Sequence, residues 1–234
     1  MITTITKLGD KMAYIIAFEG IDGTGKGTQA HLLYERLTAA GHRCLEVSFP
    51  QYENFFGKEI GKLLAGKHTT TAANLDPKSM ALWYASDRFQ TFRNLDQSLY
   101  DYIILNRYVL SNVAYQSMRV PADERQEFAN WVLELEFGQF DLPKPDICFV
   151  FDVDETLSVS NVAQKGHRDY IGNEPDVYEK SRKTQQAARQ FYRELAKQPD
   201  LNCKLIECVG QGGAMLPIDE ISDILLNTVN EKFN

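Results

Sequence analysis

Apolar residues gather in five short runs, at about 14–18, 44–49, 102–105, 147–152 and 204–209, with helical patterns between them. None of the runs meets its neighbour at hairpin spacing. That rhythm predicts an α/β fold in which a five-stranded parallel sheet carries helices on both faces. Ligands of such sheets bind beyond the carboxyl ends of the strands. The positions to inspect are therefore 19–26, 49–52, 106–108, 152–155 and 210–213.

The first of these carries the strongest signal. Residues 18–29 read FEGIDGTGKGTQ, an apolar strand and a glycine-rich loop leading into a helix whose Leu32, Leu33 and Leu37 share a face before Gly41 stops it. Gly20, Gly25 and Lys26 supply the G-x-x-x-x-G-K frame, and Gly23 adds a hinge. Those three fixed positions match by chance roughly 0.07 times in a chain of this length. The loop from Gly20 through Gly23, Thr24, Gly25, Lys26, Gly27 and Thr28 reads as a cradle for a nucleoside triphosphate, its N–H groups and helix dipole facing phosphate oxygens and Lys26 meeting the outer phosphates. Gly27 stands where a Ser or Thr hydroxyl usually holds magnesium, and Thr28 comes one place late. The metal is expected on nucleotide oxygens and water, with no direct protein ligand.

The 234 residues suit one domain over 12–234, with 1–11 as a flexible extension that lacks the apolar core and cleavage motif of a signal peptide. A formal net charge of −7 argues against a nucleic-acid polymer as partner. No apolar run reaches membrane-spanning length, which excludes a membrane partner of that kind. Cys44, Cys148, Cys203 and Cys208 lie in strand-like stretches without metal or redox spacing and read as reduced thiols of a cytoplasmic protein.

Three further stretches carry candidate chemistry. After the third run comes NRYVLSNVAYQ at 106–116, where Arg107 can grip a phosphate with a fork of donors. Asn112, Tyr115 and Gln116 share one helical face there, either a base-and-sugar surface or an ordinary polar one. In SMALWYASDRFQ at 79–90, Tyr84 and Arg88 stand one turn apart. They form a stacking ring beside a bidentate donor, or a core stripe next to a surface arginine. Phe49 and Tyr52 follow the second run and either face the ligand or end a proline-terminated strand. The polar stretch NVAQKGHRDYIGNEP at 161–175 is a candidate mobile lid or a solvated linker.

In this order FEGIDGTGK at 18–26, Phe49 with Pro50, YASDR at 84–88, RYVLSNVAYQ at 107–116, LPKPD at 142–146 and FDV at 151–153 resemble the thymidylate kinases, within the P-loop nucleoside monophosphate kinases. The likeness covers most of the chain from about Met12. It implies a phosphotransferase that moves the terminal phosphoryl of ATP to dTMP, giving dTDP for deoxynucleotide synthesis, with Mg2+ on the donor phosphates, a short lid and a homodimer. It places Asp22 near the sugar 3′-hydroxyl and the reacting phosphates, Tyr84 against the base, Arg88 and Asn112 on the thymine edge, Tyr115 at the 2′ position and Arg107 on the acceptor phosphate.

The chain departs from the family pattern at Gly27, at Asn106 in place of an aspartate, and at Gln51 in place of an arginine. It also has Gly23 where some members carry an arginine. A cation from the lid is then expected to balance charge during transfer, Arg168 first and Lys165 second, so that Asp22, Lys26, Arg107 and Arg168 form the expected catalytic set. Helices at about 76–97 and 121–138 are the candidate dimer surfaces. A sibling kinase of other base specificity, a nucleotide-dependent regulatory protein, and a relative weakened by its departures stay open at this level.

Overall fold

A computed structural model describes residues 13–154, 157–158 and 182–233. The extension 1–11 and the lid region 161–175, with Lys165 and Arg168, lie outside the described residues. Five strands, β1 (Tyr14–Gly20), β2 (Cys44–Ser48), β3 (Tyr102–Asn106), β4 (Ile147–Asp152) and β5 (Cys203–Glu207), form one sheet in the order β2-β3-β1-β4-β5. Every pairing is parallel.

The apolar runs are continuous because the sheet is buried on both sides, so successive residues serve different cores. In β1, Ile15 and Ala17 join one core while Ile16 and Phe18 join the other. The first core receives α2 (Phe55–Leu64), α3 (Pro77–Arg93), α4 (Val109–Ser117), α5 (Arg125–Leu133) and α6 (Arg182–Leu195). The second is closed by α1 (Lys26–Ala39) and α7 (Ile218–Phe233). The expected helix at 121–138 is shorter as an α-helix, since α5 passes at Glu134 into a wider π-helical turn that runs to Gln139.

Two local features fix the entry into the site. Gly20 approaches β4 so closely that a Cβ would stand 2.7 Å from the Phe151 carbonyl oxygen, which leaves glycine as the residue that fits. Gly25 caps α1 at φ 84°, the left-handed region that glycine adopts without a steric penalty. Because all five strands run the same way, the loops after β1, β2 and β3 emerge on one edge of the sheet. Connections from the adjacent strands β1 and β3 leave in opposite directions there, which opens a crevice.

Candidate active site

The loop between β1 and α1 folds tightly on itself. The Ile21 carbonyl oxygen accepts from Lys26 Nζ at 2.8 Å and from Thr24 Oγ1 at 3.1 Å. Lys26 is 5% exposed and Thr24 1%, so the amine is already desolvated and aimed along the loop. Gln29 is buried one turn into α1 and donates to the Ile218 carbonyl at 2.8 Å, tying this helix to the start of α7. Thr28 is exposed, and Gly27 sits against Asn106, whose Nδ2 would lie 3.3 Å from a Cβ at position 27.

Beside the loop lies a cleft lined by Asp22, Phe49, Tyr52, Tyr84, Arg88, Arg107, Asn112, Tyr115 and Gln116 among others. Every residue expected from sequence to touch the acceptor therefore meets in one cavity, although they come from four separate stretches of chain. Asp22 belongs to both regions, since it stands in the phosphate loop and lines the cleft.

Around Asp22 the polar groups interlock. Arg107 Nη2 pairs with Asp22 Oδ1, Tyr115 Oη donates to Asp22 Oδ2 at 2.9 Å, and Gln185 of α6 donates to the same oxygen at 3.2 Å. Arg107 adopts φ 65°, an unfavourable left-handed conformation for an arginine, directly after β3, and its backbone N–H donates to the Phe18 carbonyl at 2.9 Å. Burial disfavours the Arg107 charge, but the Asp22 carboxylate more than offsets it and holds the guanidinium charged. Burial, reinforced by the Asp22 charge, pushes the Tyr115 phenol well above its ordinary pKa, so it stays protonated and donates.

At the far end of the cleft Arg88 is not a surface arginine. Its Nε and Nη2 pair with the two oxygens of Glu136 at 2.5 and 2.6 Å, with side chains 2% and 0% exposed. Asn112 Nδ2 donates to Glu136 Oε1 at 2.8 Å and to the Ala81 carbonyl at 3.0 Å. Gln116, one turn further along α4, accepts from Arg119 Nη1 at 2.6 Å. Asn112 Oδ1 and Gln116 Nε2 are buried and have no hydrogen-bond partner among the described residues. Both residues line the cleft, so each brings one tied and one unspent amide end to its wall.

A third group underlies the site. Glu19 is fully buried beneath Arg107, accepting from the Tyr108 backbone at 2.8 Å, Ser111 Oγ at 2.5 Å and Tyr192 Oη at 3.2 Å. Burial raises its pKa, against the Ser111 hydrogen bond, the Tyr108 N–H and the Arg107 charge. Sequence reasoning missed Glu19, Ser111, Glu136, Arg119 and Gln185 as site residues. Only Glu19 had a local signal, a carboxylate at the end of an apolar strand. In α6, Arg189 pairs with Asp152 at the end of β4 at 2.6 Å. The glycine-rich segment 210–213 forms a turn in which Gly210 donates to Ala214 at 2.9 Å, beyond β5 on the same sheet edge.

Comparison with known proteins gives the family and the fold. The family model for thymidylate kinase matches residues 18–209. A thymidylate kinase of Mycobacterium tuberculosis is 35% identical over 188 residues, 79% of this chain and 86% of its own. The human thymidylate kinase is 29% identical over 82% of this chain and 81% of its own. The solved thymidylate kinase of Candida albicans shares the fold with a TM-score of 0.72 at 24% identity, covering 95% of this chain and 94% of its own. The family match spans the phosphate loop, the cleft and all but the last helix, and the chain belongs to the thymidylate kinase family.

Proposed function

We propose that the two regions meeting at Asp22 form the donor and acceptor sites of the family's reaction, transfer of the terminal phosphoryl of ATP to dTMP to give dTDP. The observation that carries the reading is the Asp22–Arg107 pair, which joins a phosphate loop to a cleft walled by base-reading side chains. Lys26 and the loop amides hold the donor phosphates, Arg107 aligns the acceptor phosphate, and Asp22 with Tyr115 orders the sugar. Tyr84 and Phe49 flank the base, Tyr52 covers it, and Arg88, Asn112 and Gln116 meet its edge. No covalent intermediate is needed, because positioning and charge neutralisation supply the catalysis. Arg168 remains the proposed cation for the migrating phosphoryl.

The described residues hold no cluster of three His, Cys, Asp or Glu side chains that could cage a metal. Magnesium is proposed to be carried by the nucleotide phosphates and water, with Asn106, whose Oδ1 is buried without a partner among the described residues, as a neutral neighbour of Gly27. When bound, the ion neutralises charge on the donor phosphates. A regulatory nucleotide switch would need the loop alone and leaves the second cleft without a use.

Homodimerisation through the helices at about 76–97 and 121–138 is proposed, and on the first of them it is supported by Leu82 of α3, 41% exposed. Light scattering tests it. A cytoplasmic location is supported by Cys148 and Cys203, paired in register on β4 and β5 yet both free thiols. A coupled assay with ATP and each nucleoside monophosphate tests the main reading. The expected result is turnover of dTMP, whereas turnover confined to dGMP, dCMP or AMP would overturn it.

A further inference from the structure

Both oxygen partners of Asn112 are acceptors, the Ala81 carbonyl and the Glu136 carboxylate. The end of the amide that meets them must therefore be its NH2, and the end left in the cleft wall is the acceptor Oδ1. Gln116 is held the other way round. Arg119 can only donate, so it fixes Gln116 Oε1 and leaves the donor Nε2 unspent. Arg119 is itself anchored by donating from Nη2 to the carbonyls of Ala73 and Leu75. Glu136 takes the Nε hydrogen and one Nη2 hydrogen of Arg88, so the donors left to that guanidinium are both of Nη1 and the second of Nη2.

We infer that Glu136 and Arg119 are positioning residues for base selection, locking the two amides of α4 in opposite senses so that Arg88, Asn112 and Gln116 present a donor, an acceptor and a donor in that order. The order follows from the contacts. Asn112 shares Glu136 Oε1 with Arg88 on one side and stands one helical turn from Gln116 on the other. This edge complements the imide of thymine or uracil, which offers O4 as acceptor, N3–H as donor and O2 as acceptor. Cytosine presents a donor at position 4 and an acceptor at N3, and so fails at two of the three contacts. A site built to hydrogen-bond one edge rejects the other strongly, since its buried groups are left unpaired. An amide released from its tether could turn over and accept either pattern. Selectivity then resides in residues that need not touch the base.

The inference rests on the acceptor reading of the cleft, and the experiment separates the two. Values of kcat/KM are measured for dTMP, dCMP and the 2-thio analogue of dTMP, whose sulfur is a poor acceptor. The proteins compared are the unsubstituted chain and its Arg119→Met, Arg119→Lys and Glu136→Gln variants. Arg119→Met is expected to raise KM for dTMP about tenfold with kcat little changed, and to erase the preference for dTMP over its 2-thio analogue. Arg119→Lys, which keeps a donor for Gln116, is expected to restore that preference. Glu136→Gln leaves one acceptor oxygen where there were two, and the dTMP to dCMP ratio is expected to fall about tenfold. Arg119 is half-buried at the rim, so its variants give an answer even if Glu136→Gln folds poorly. An unsubstituted protein that does not turn over dTMP overturns the acceptor reading. Normal turnover of dTMP with substrate ratios unmoved in the folded variants overturns this inference alone.

Discussion

The phosphate loop and the acceptor cleft solve one problem, holding an anion, by different means. The loop is made of backbone: three glycines, one buried lysine and the start of a helix, all within nine residues of sequence, 18–26. The cleft is made of side chains whose partners are remote, Arg88 with Glu136 across 48 positions and Arg107 with Asp22 across 85. A backbone cradle fits any triphosphate and leaves the fold indifferent to the charge of Lys26. A cleft built from buried ion pairs is suited to one particular molecule, and the side chains proposed to recognise it double as core.

That contrast sets the largest expected effects. Glu136→Ala would strand the Arg88 guanidinium in the core, and the loss of stability is expected at about 3–5 kcal/mol by urea unfolding. Lys26→Met keeps the buried stem and gives up the amine's hydrogen bond to the Ile21 carbonyl of its own loop, so unfolding should shift by about 1 kcal/mol. Its kcat should nevertheless fall about 10²–10³-fold, with dTMP affinity by calorimetry unchanged. If Lys26→Met unfolds the protein, or Glu136→Ala leaves stability intact, the division between a functional loop and a structural cleft is wrong.

The same division explains what the sequence disclosed. The five strands, their parallel pairing and the phosphate loop were legible because each rests on spacing within a short window: apolar runs, a glycine frame, a helix face. The cleft residues Tyr84, Arg88, Asn112, Tyr115 and Gln116 were legible as two helix faces but ambiguous as function. Nothing local distinguishes a base-reading arginine from a solvated one. What decides is Glu136, which sits in a π-helical turn with no charge pattern of its own and reaches Arg88 only once the chain has folded. Arg119 and Gln185 were hidden for the same reason, since a tether that orients another side chain has no spacing to betray it.

Glu19 lies between the two regions, and its titration measures how far the cleft's electrostatics extend beneath the loop. Burial raises its pKa above the ordinary 4.5. Between the unfolded and folded values the folded chain keeps a proton that the unfolded chain releases, so stability from this group is full below the unfolded pKa and is lost as pH rises through the folded one. Relative to Glu19→Gln, the native chain should therefore lose stability as pH climbs from 4.5, by at most about 1.4 kcal/mol per pH unit. A stability difference that stays flat toward neutrality would mean that Arg107 and the hydroxyl donors fully compensate the burial.

The smallest expected effect concerns Asn106, whose side chain sits against Gly27 of the loop. Asn106 Nδ2 donates to Ser48 Oγ at 3.1 Å, and its Oδ1 is buried without a partner beside Gly27. Asn106→Asp preserves the shape, and the Ser48 hydroxyl can reverse to become the donor, so stability should change by less than about 0.5 kcal/mol. The added carboxylate would stand near the donor phosphates and offer water-mediated support to their magnesium. The metal concentration for half-maximal rate should then fall about threefold to tenfold. Gly27→Ser alone should gain nothing, because its Cβ would press on Asn106 Nδ2 at 3.3 Å. Combining the two replaces that amide with an oxygen that can accept from the new hydroxyl, and the pair should be better than the sum of its parts. Additive effects would show that Gly27 and Asn106 act separately, and that the loop's tolerance of any triphosphate owes nothing to the strand beside it.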